Sequence, residues 1–141
     1  MKKIVYGEDA RLLAWLEPRL EGHFSPTNAT AFGVEDDNEI IGVVAFNYYS
    51  GTSVHMNVAA LPGRYWLTKE FLWRSFAYPF LQLKCNRVTA LVREDNIHAQ
   101  KFDENLGFVR EGLLRKESKD GQNMIVYGML KEECRFLEIK V

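Results

Sequence analysis

Two short stretches carry residues whose types and spacing could do chemistry, and each stands where a strand pattern gives way to a helix pattern. The first is LPGRYWLTKEFLW, residues 61–73. The amides at the start of a helix lack intrahelical partners and can converge on an anion. Here the amides from Trp66 through Leu67 and Thr68 to Lys69, the Thr68 hydroxyl, and the charges of Arg64 and Lys69 could together cradle a diphosphate. The competing reading is an ordinary capped helix start with two solvated basic residues. The second stretch is Asn96, which follows the strand-like RVTALV and the polar RED. As an N-cap it would accept from an amide near Ala99 and do nothing further, or its side chain could face a ligand. Cys85 and Cys134 stand far apart without metal-ligand spacing, so they read as free thiols, no metal site is expected, and a reducing compartment fits.

The elements that must position these residues follow from periodicity. KIVY is a short strand pattern. It is followed by ARLLAWLEPRLEG, whose Leu12, Leu13, Leu16 and Leu20 recur at helical spacing behind a cap from Glu8 or Asp9. Residues 24–30 read as loop. ATAFGVE and IIGVVAFNYY are β-branched and aromatic runs around the polar EDDNE and predict a hairpin, with SVHMNVAAL as a further strand. From Thr68 to about Leu83, the residues Leu72, Phe76, Phe80 and Leu83 share one helix face, with a bend expected near Ser75 because Pro79 lacks an amide donor. RVTALV is a buried-strand pattern. IHAQKFDENLGF is a short helix with Ala99, Phe102 and Leu106 on one face and Gly107 as its left-handed stop, and Phe108 is expected to pack back on Phe102. FVREGLLRKES and NMIVYGMLKEE close the chain as a hairpin. This order predicts one α+β domain over residues 1–141, with a mixed sheet and helices on both of its faces.

The 141 residues are 47% hydrophobic and 26% charged, the composition of an ordinary globular domain. With 18 basic against 19 acidic side chains, no long-range attraction to nucleic acid is built into the whole molecule. MKKIVYGEDARL contains no apolar run of signal-peptide length, and no later stretch reaches the ~18 apolar residues of a membrane span. A cytoplasmic protein without a membrane partner is expected.

The run RVTALVRED, then N-x-x-A, then x-x-F-x-E-N-L-G-F-V-R-E-G, resembles the closing half of the GNAT superfamily of N-acetyltransferases. It does so through Asn96, Ala99, Phe102, Glu104, Leu106, Gly107, Phe108, Glu111, Gly112 and, with the following strand, Arg115. AYPFLQLKCNRVTALV takes the place of the family's central helix and fifth strand and YGMLKEE that of its seventh, so the element order agrees over nearly the whole chain. The pattern looks like small bacterial or bacteriophage members. The resemblance implies a mostly antiparallel sheet of about seven strands with a V-shaped opening between strands 4 and 5. Pantetheine of acetyl-CoA would pair with backbone near Met56, Asn57 and Val58, the diphosphate would meet Arg64, Tyr65, Trp66, Leu67, Thr68 and Lys69, and Asn96, Ala99 and Phe102 would complete the cofactor side. The sequence departs from the family's glycine-rich phosphate loop, since Arg64 and Trp66 stand where glycine is usual and only Thr68 is small. Glycine permits positive φ and close backbone approach to phosphate. A bulky loop binds differently or not at all. Arg64, Thr68 and Lys69 can compensate with side-chain donors, while Trp66 either flanks the cofactor or anchors the core.

The implied reaction is direct acetyl transfer within a ternary complex to a primary amine of an unspecified small molecule or protein. It needs a proton acceptor and a group that stabilises or protonates the departing thiolate. Family members often use a tyrosine or an N-x-x-S serine as the acid. Asp103 and Ala99 stand in those places, so neither usual acid is present. His55 and Asn96 are the catalytic candidates, with His55 near the mouth of the opening as a base of near-neutral pKa or else a structural or solvent-facing residue. Glu35 is a lesser candidate within a solvated hairpin tip, His98 reads as surface, and Tyr127 points a hydroxyl into the acceptor groove or packs in the core. A homodimer is open. The alternative function is a catalytically inactive GNAT-fold module that binds coenzyme A or a protein partner.

Overall fold

The computed structural model describes residues 1–20 and 28–139. Seven strands are described: β1 (Lys2–Val5), β2 (Thr30–Asp36), β3 (Glu39–Asn47), β4 (Ser53–Ala60), β5 (Arg87–Arg93), β6 (Val109–Leu114) and β7 (Met124–Leu130). They form one sheet in the order β1-β2-β3-β4-β5-β7-β6. Every neighbouring pair is antiparallel except β4 and β5. The mixed seven-stranded architecture expected from the sequence is the one observed. The β2–β3 turn is made by Asp37 and Asn38, at φ of 51° and 70°, the double left-handed turn whose twist suits a tight hairpin.

The sheet's two faces bury different cores. On one, Leu12, Leu13 and Leu16 of α1 (Asp9–Leu16) meet Ala31, Val43 and Ala45. On the other, Phe71 and Phe76 of α2 (Lys69–Ala77) pack with Phe46, Val54, Met56, Val88, Ala90 and Tyr127. Along β4 and β5 the period of two assigns Val54, Met56, Val88 and Ala90 to this second core, which leaves His55, Asn57 and Thr89 on the opposite face.

Several expectations are corrected. The first helix stops at Leu16, and the Glu17–Arg19 turn, with Pro18 in its first positions, carries the chain on to a half-buried Leu20. No side chain caps this helix. The Asp9 carboxylate accepts instead from the Ala31 amide at 3.0 Å, pinning the helix start to β2. The irregularity of the central helix falls after Ser75, not at it. The helix runs regularly to Ala77 and then widens into a π-turn over Tyr78–Gln82, in which the Leu83 amide donates to the Tyr78 carbonyl at 2.9 Å. Pro79 cannot donate one turn back, and the wider turn accommodates that loss. Phe108 packs on Phe76, with ring centroids 6.3 Å apart, and Phe102 turns to Trp66. Beyond β7, short turns over Lys131–Glu133 and Arg135–Glu138 return Phe136 to stack on Phe76 at 5.0 Å, an addition the periodicity did not signal. Of the loop expected at 24–30, residues 24–27 lie outside the described residues, and Thr30 already belongs to β2.

Candidate active site

The one parallel pair among the described strands is short. Ser53 opposes Arg87, Val54 opposes Val88 and His55 opposes Thr89, after which β4 and β5 continue to Ala60 and Arg93 without pairing. Each keeps its outer partner, with β4 paired to β3 as far as Ala60 opposite Gly42 and β5 paired to β7 as far as Arg93 opposite Met124. From Met56 on, the inner edge of β4 therefore faces a gap instead of a strand. The gap is a cavity of about 590 Å³ bordered by residues 56–62 on one side, residues 90–93 and α3 (Ile97–Leu106) on the other, and residues 18–20 after α1.

Trp66, from the segment after β4, and Phe102, from the helix after β5, stack with centroids 6.1 Å apart and an interplanar angle of 18°. This contact joins the two sides of the opening. It also explains Gly42, because a Cβ there would lie 2.5 Å from the Trp66 ring. The indole thus needs a bare backbone on β3 to lie flat, and the chain supplies one.

Both helix starts are capped as their sequences suggest. The Asn96 Oδ1 accepts from the Ala99 amide at 3.0 Å, and the Thr68 Oγ1 accepts from the Phe71 amide at 3.2 Å. At the other end of α3, Gly107 adopts φ of 108°, and the Phe108 amide donates to the Asp103 carbonyl at 3.1 Å, closing the helix in the left-handed motif.

The predicted site residues divide sharply. Met56, Asn57, Val58, Trp66, Asn96, Ala99 and Phe102 all border the cavity, whereas Arg64, Tyr65, Leu67, Thr68 and Lys69 do not. Arg64 is engaged elsewhere. Its Nη1 donates to the Glu39 carboxylate at 2.8 Å and its Nη2 to Asp36 at 3.4 Å, which ties the loop to the ends of β2 and β3. Tyr65 is exposed beneath the Lys2 ammonium, 5.4 Å from the ring centroid, and half-buried Leu67 packs on the core.

His55 stands at the closed end of the opening, opposite Thr89, with its ring 5.1 Å from that of Tyr48. It is not among the residues bordering the cavity, while exposed His98 is. Beside His55 on the same face, the Asn57 Nδ2 donates to Asn47 Oδ1 at 2.9 Å, and the Arg87 Nε donates to Thr89 Oγ1 at 3.0 Å. Arg87 also pairs with Glu111 at 2.9 Å.

Glu35 is not part of a solvated tip. It is buried beneath Arg11 and Lys3, and the hydrogen bond from Arg11 holds its carboxyl below the usual range. Tyr127 is fully buried, and its hydroxyl donates to Glu104 at 2.6 Å. Burial and that acceptor push the phenol up to about 12. Arg93, at the cavity's edge, is held by Asp95 at 2.9 Å and Asp120 at 2.6 Å, so its charge is already balanced.

Asp103 is the residue whose environment the sequence reading missed. It borders the cavity, is only 8% exposed, and burial pushes its carboxyl up to about 7, with the nearby Glu104 charge adding to the effect. The signal was present, since Asp103 follows Ala99 by four and so shares its helix face.

No protein-family model matches the sequence. It is 29% identical over 121 residues to a protein of Bacillus licheniformis described as the uncharacterized N-acetyltransferase p20. That match covers 81% of this chain and 66% of the relative, so the chain spans a little under two thirds of that protein's length. A variant of the spermidine N-acetyltransferase SpeG from Vibrio cholerae superposes with a TM-score of 0.73 at 19% identity, covering 97% of this chain and 96% of that one. Ard1 from Thermoplasma volcanium superposes with a TM-score of 0.72 at 14% identity, covering 92% and 97%. The fold, with its parted parallel strands, is that of the GNAT acetyltransferases. The likeness to p20 agrees with that fold.

Proposed function

We propose that the protein is an acetyl-CoA-dependent N-acetyltransferase that moves the acetyl group directly to an amine in a ternary complex. The observation that carries this reading is the unpaired inner edge of β4 beyond His55, facing a cavity whose opposite wall is α3. An extended chain containing amides fits such an edge, because the free backbone groups of Met56 to Val58 can pair with it as a missing strand would. The apolar wall of Val58, Ala60, Ala99, Phe102 and Leu106 suits the methylene parts of the same arm. When bound, acetyl-CoA supplies an activated thioester. The protein's share is to fix that arm, to exclude water with the Trp66–Phe102 stack, and to handle the protons.

For the diphosphate, backbone amides at the start of α2 and the Lys69 side chain remain, while Arg64 is engaged by its two carboxylates. The amine's proton goes to water or to His55, whose place at the closed end of the opening supports that role. Spermidine is the first acceptor to test, on the strength of the likeness to SpeG. Incubation with acetyl-CoA and a panel of polyamines, amino acids and peptide N-termini, with release of free thiol followed, is expected to identify an acceptor. A protein that binds acetyl-CoA yet releases no thiol with any amine would instead be a coenzyme A-binding module. The engaged Arg64 and the glycine-poor loop favour that second reading.

A further inference from the structure

Among the described residues, the ionisable side chains that border the cavity are few: Arg19, Arg93, His98 and Asp103. Arg19 is exposed, donates to the Trp15 carbonyl at 2.7 Å and lies over the Trp15 ring. Arg93 is held between Asp95 and Asp120. His98 is exposed at the first turn of α3. Asp103 differs from all three. It is buried, and its carboxyl makes no hydrogen bond or ion pair among the described residues. A buried carboxyl without a cation or donors is costly to ionise, so it keeps its proton to higher pH than an exposed one. The groups around it reinforce this. Glu104 follows it on α3, and the Tyr127 hydroxyl on β7 donates to Glu104, not to Asp103. Arg110 of β6 acts on Tyr127, and Arg93 of β5 is neutralised by its own carboxylates.

We infer that Asp103 is the general acid of the reaction, donating its carboxyl proton to the sulfur that leaves when the amine displaces it. This rests on the acetyl-transfer reading above. In the step, the amine nitrogen forms a bond to the carbonyl carbon and loses a proton to water or His55. The carbon–sulfur bond breaks, its electron pair stays on sulfur, and sulfur takes the proton from Asp103. The resulting carboxylate recovers a proton from solvent after the thiol departs. A neutral carboxylic acid serves here because it adds no charge to an apolar wall before the reaction and delivers the proton when negative charge appears on sulfur.

The first test needs no variant. In wild-type protein labelled with ¹³C at aspartate carboxyls, one resonance is expected to titrate near neutrality while the others titrate in the ordinary acidic range. If every aspartate titrates below about pH 5, the assignment is overturned. The second uses Asp103→Asn and Asp103→Glu with the best acceptor found. The protonated form is the active one, so wild-type kcat should fall as pH rises through the carboxyl's pKa. Asp103→Asn should lower kcat by about 100-fold or more, abolish that alkaline limb, and leave acetyl-CoA affinity within about threefold. Asp103→Glu should keep the limb. An active wild type whose Asp103→Asn variant retains both kcat and the limb overturns the role while leaving acetyl transfer intact. A wild type that releases no thiol with any amine overturns both.

Discussion

The two strand-to-helix junctions, β4 to α2 and β5 to α3, start from the same device and end in different uses. Each has a polar cap residue accepting from an amide three residues on, Thr68 from Phe71 at 3.2 Å and Asn96 from Ala99 at 3.0 Å. Each contributes one aromatic ring, Trp66 or Phe102, to the stack across the opening. There the likeness stops. The first junction has its cation Arg64 bound to Asp36 and Glu39, and its Tyr65 faces solvent. The second turns Asn96, Ala99, Phe102, Asp103 and Leu106 toward the cavity. Capping a helix leaves the site undecided. What decides it is whether the neighbouring side chains already have partners.

The comparison can be broken most forcefully at the shared stack. Trp66→Ala removes a buried indole that packs on Gly42, Phe71 and Phe102, and a loss of about 3–5 kcal/mol is expected in chemical denaturation, the range for large aromatic truncations. A loss below about 1 kcal/mol would show that the two junctions are not coupled through it.

Next in size is the pH dependence set by Asp103. Its folded pKa is raised from 3.8 to about 7, so the native state binds more protons than the unfolded chain between those values. The associated stability is fully present below about pH 4 and is lost as pH rises through about 7. Asp103→Asn cannot ionise, so near pH 8 it should exceed wild type in stability by an amount on the order of 4 kcal/mol at most. The difference should shrink steadily on acidification. Equal pH dependence in the two proteins would show that Asp103 is solvated after all.

Smallest is the effect at the engaged cation. Arg64→Ala breaks two partly exposed ion pairs and should cost about 1 kcal/mol of stability or less. It should leave acetyl-CoA affinity within about threefold. A tenfold or greater loss would mean that the guanidinium leaves Glu39 and Asp36 for the diphosphate, and the first junction would then take part in binding.

Much of this was legible in the sequence. The run of β-branched residues in RVTALV, the N-cap at Asn96 and the stop at Gly107 fixed β5 and α3 almost to the residue, because each depends on local chemistry. The opening itself was legible only through resemblance, since no local pattern says that two strands pair for three residues and then part. The engagement of Arg64 is not legible because its partners, Asp36 and Glu39, lie 28 and 25 positions earlier and meet it only in the folded sheet. The burial of Glu35 is hidden for a related reason. The residues that follow it in the chain are polar, but Arg11 and Lys3 close over it from the helix and the edge strand. Burial of Asp103 likewise depends on a cavity formed by two separated segments. Helical periodicity alone identifies its face and leaves open what covers it.

The proposed function depends above all on the parted strands holding acetyl-CoA. Calorimetric titration of the wild-type protein with acetyl-CoA measures this without knowledge of the acceptor. Saturable binding with one site per chain is the predicted result, at micromolar to sub-millimolar affinity and with a negative heat-capacity change from the apolar wall. The absence of any binding heat up to millimolar acetyl-CoA, at more than one temperature, would contradict it.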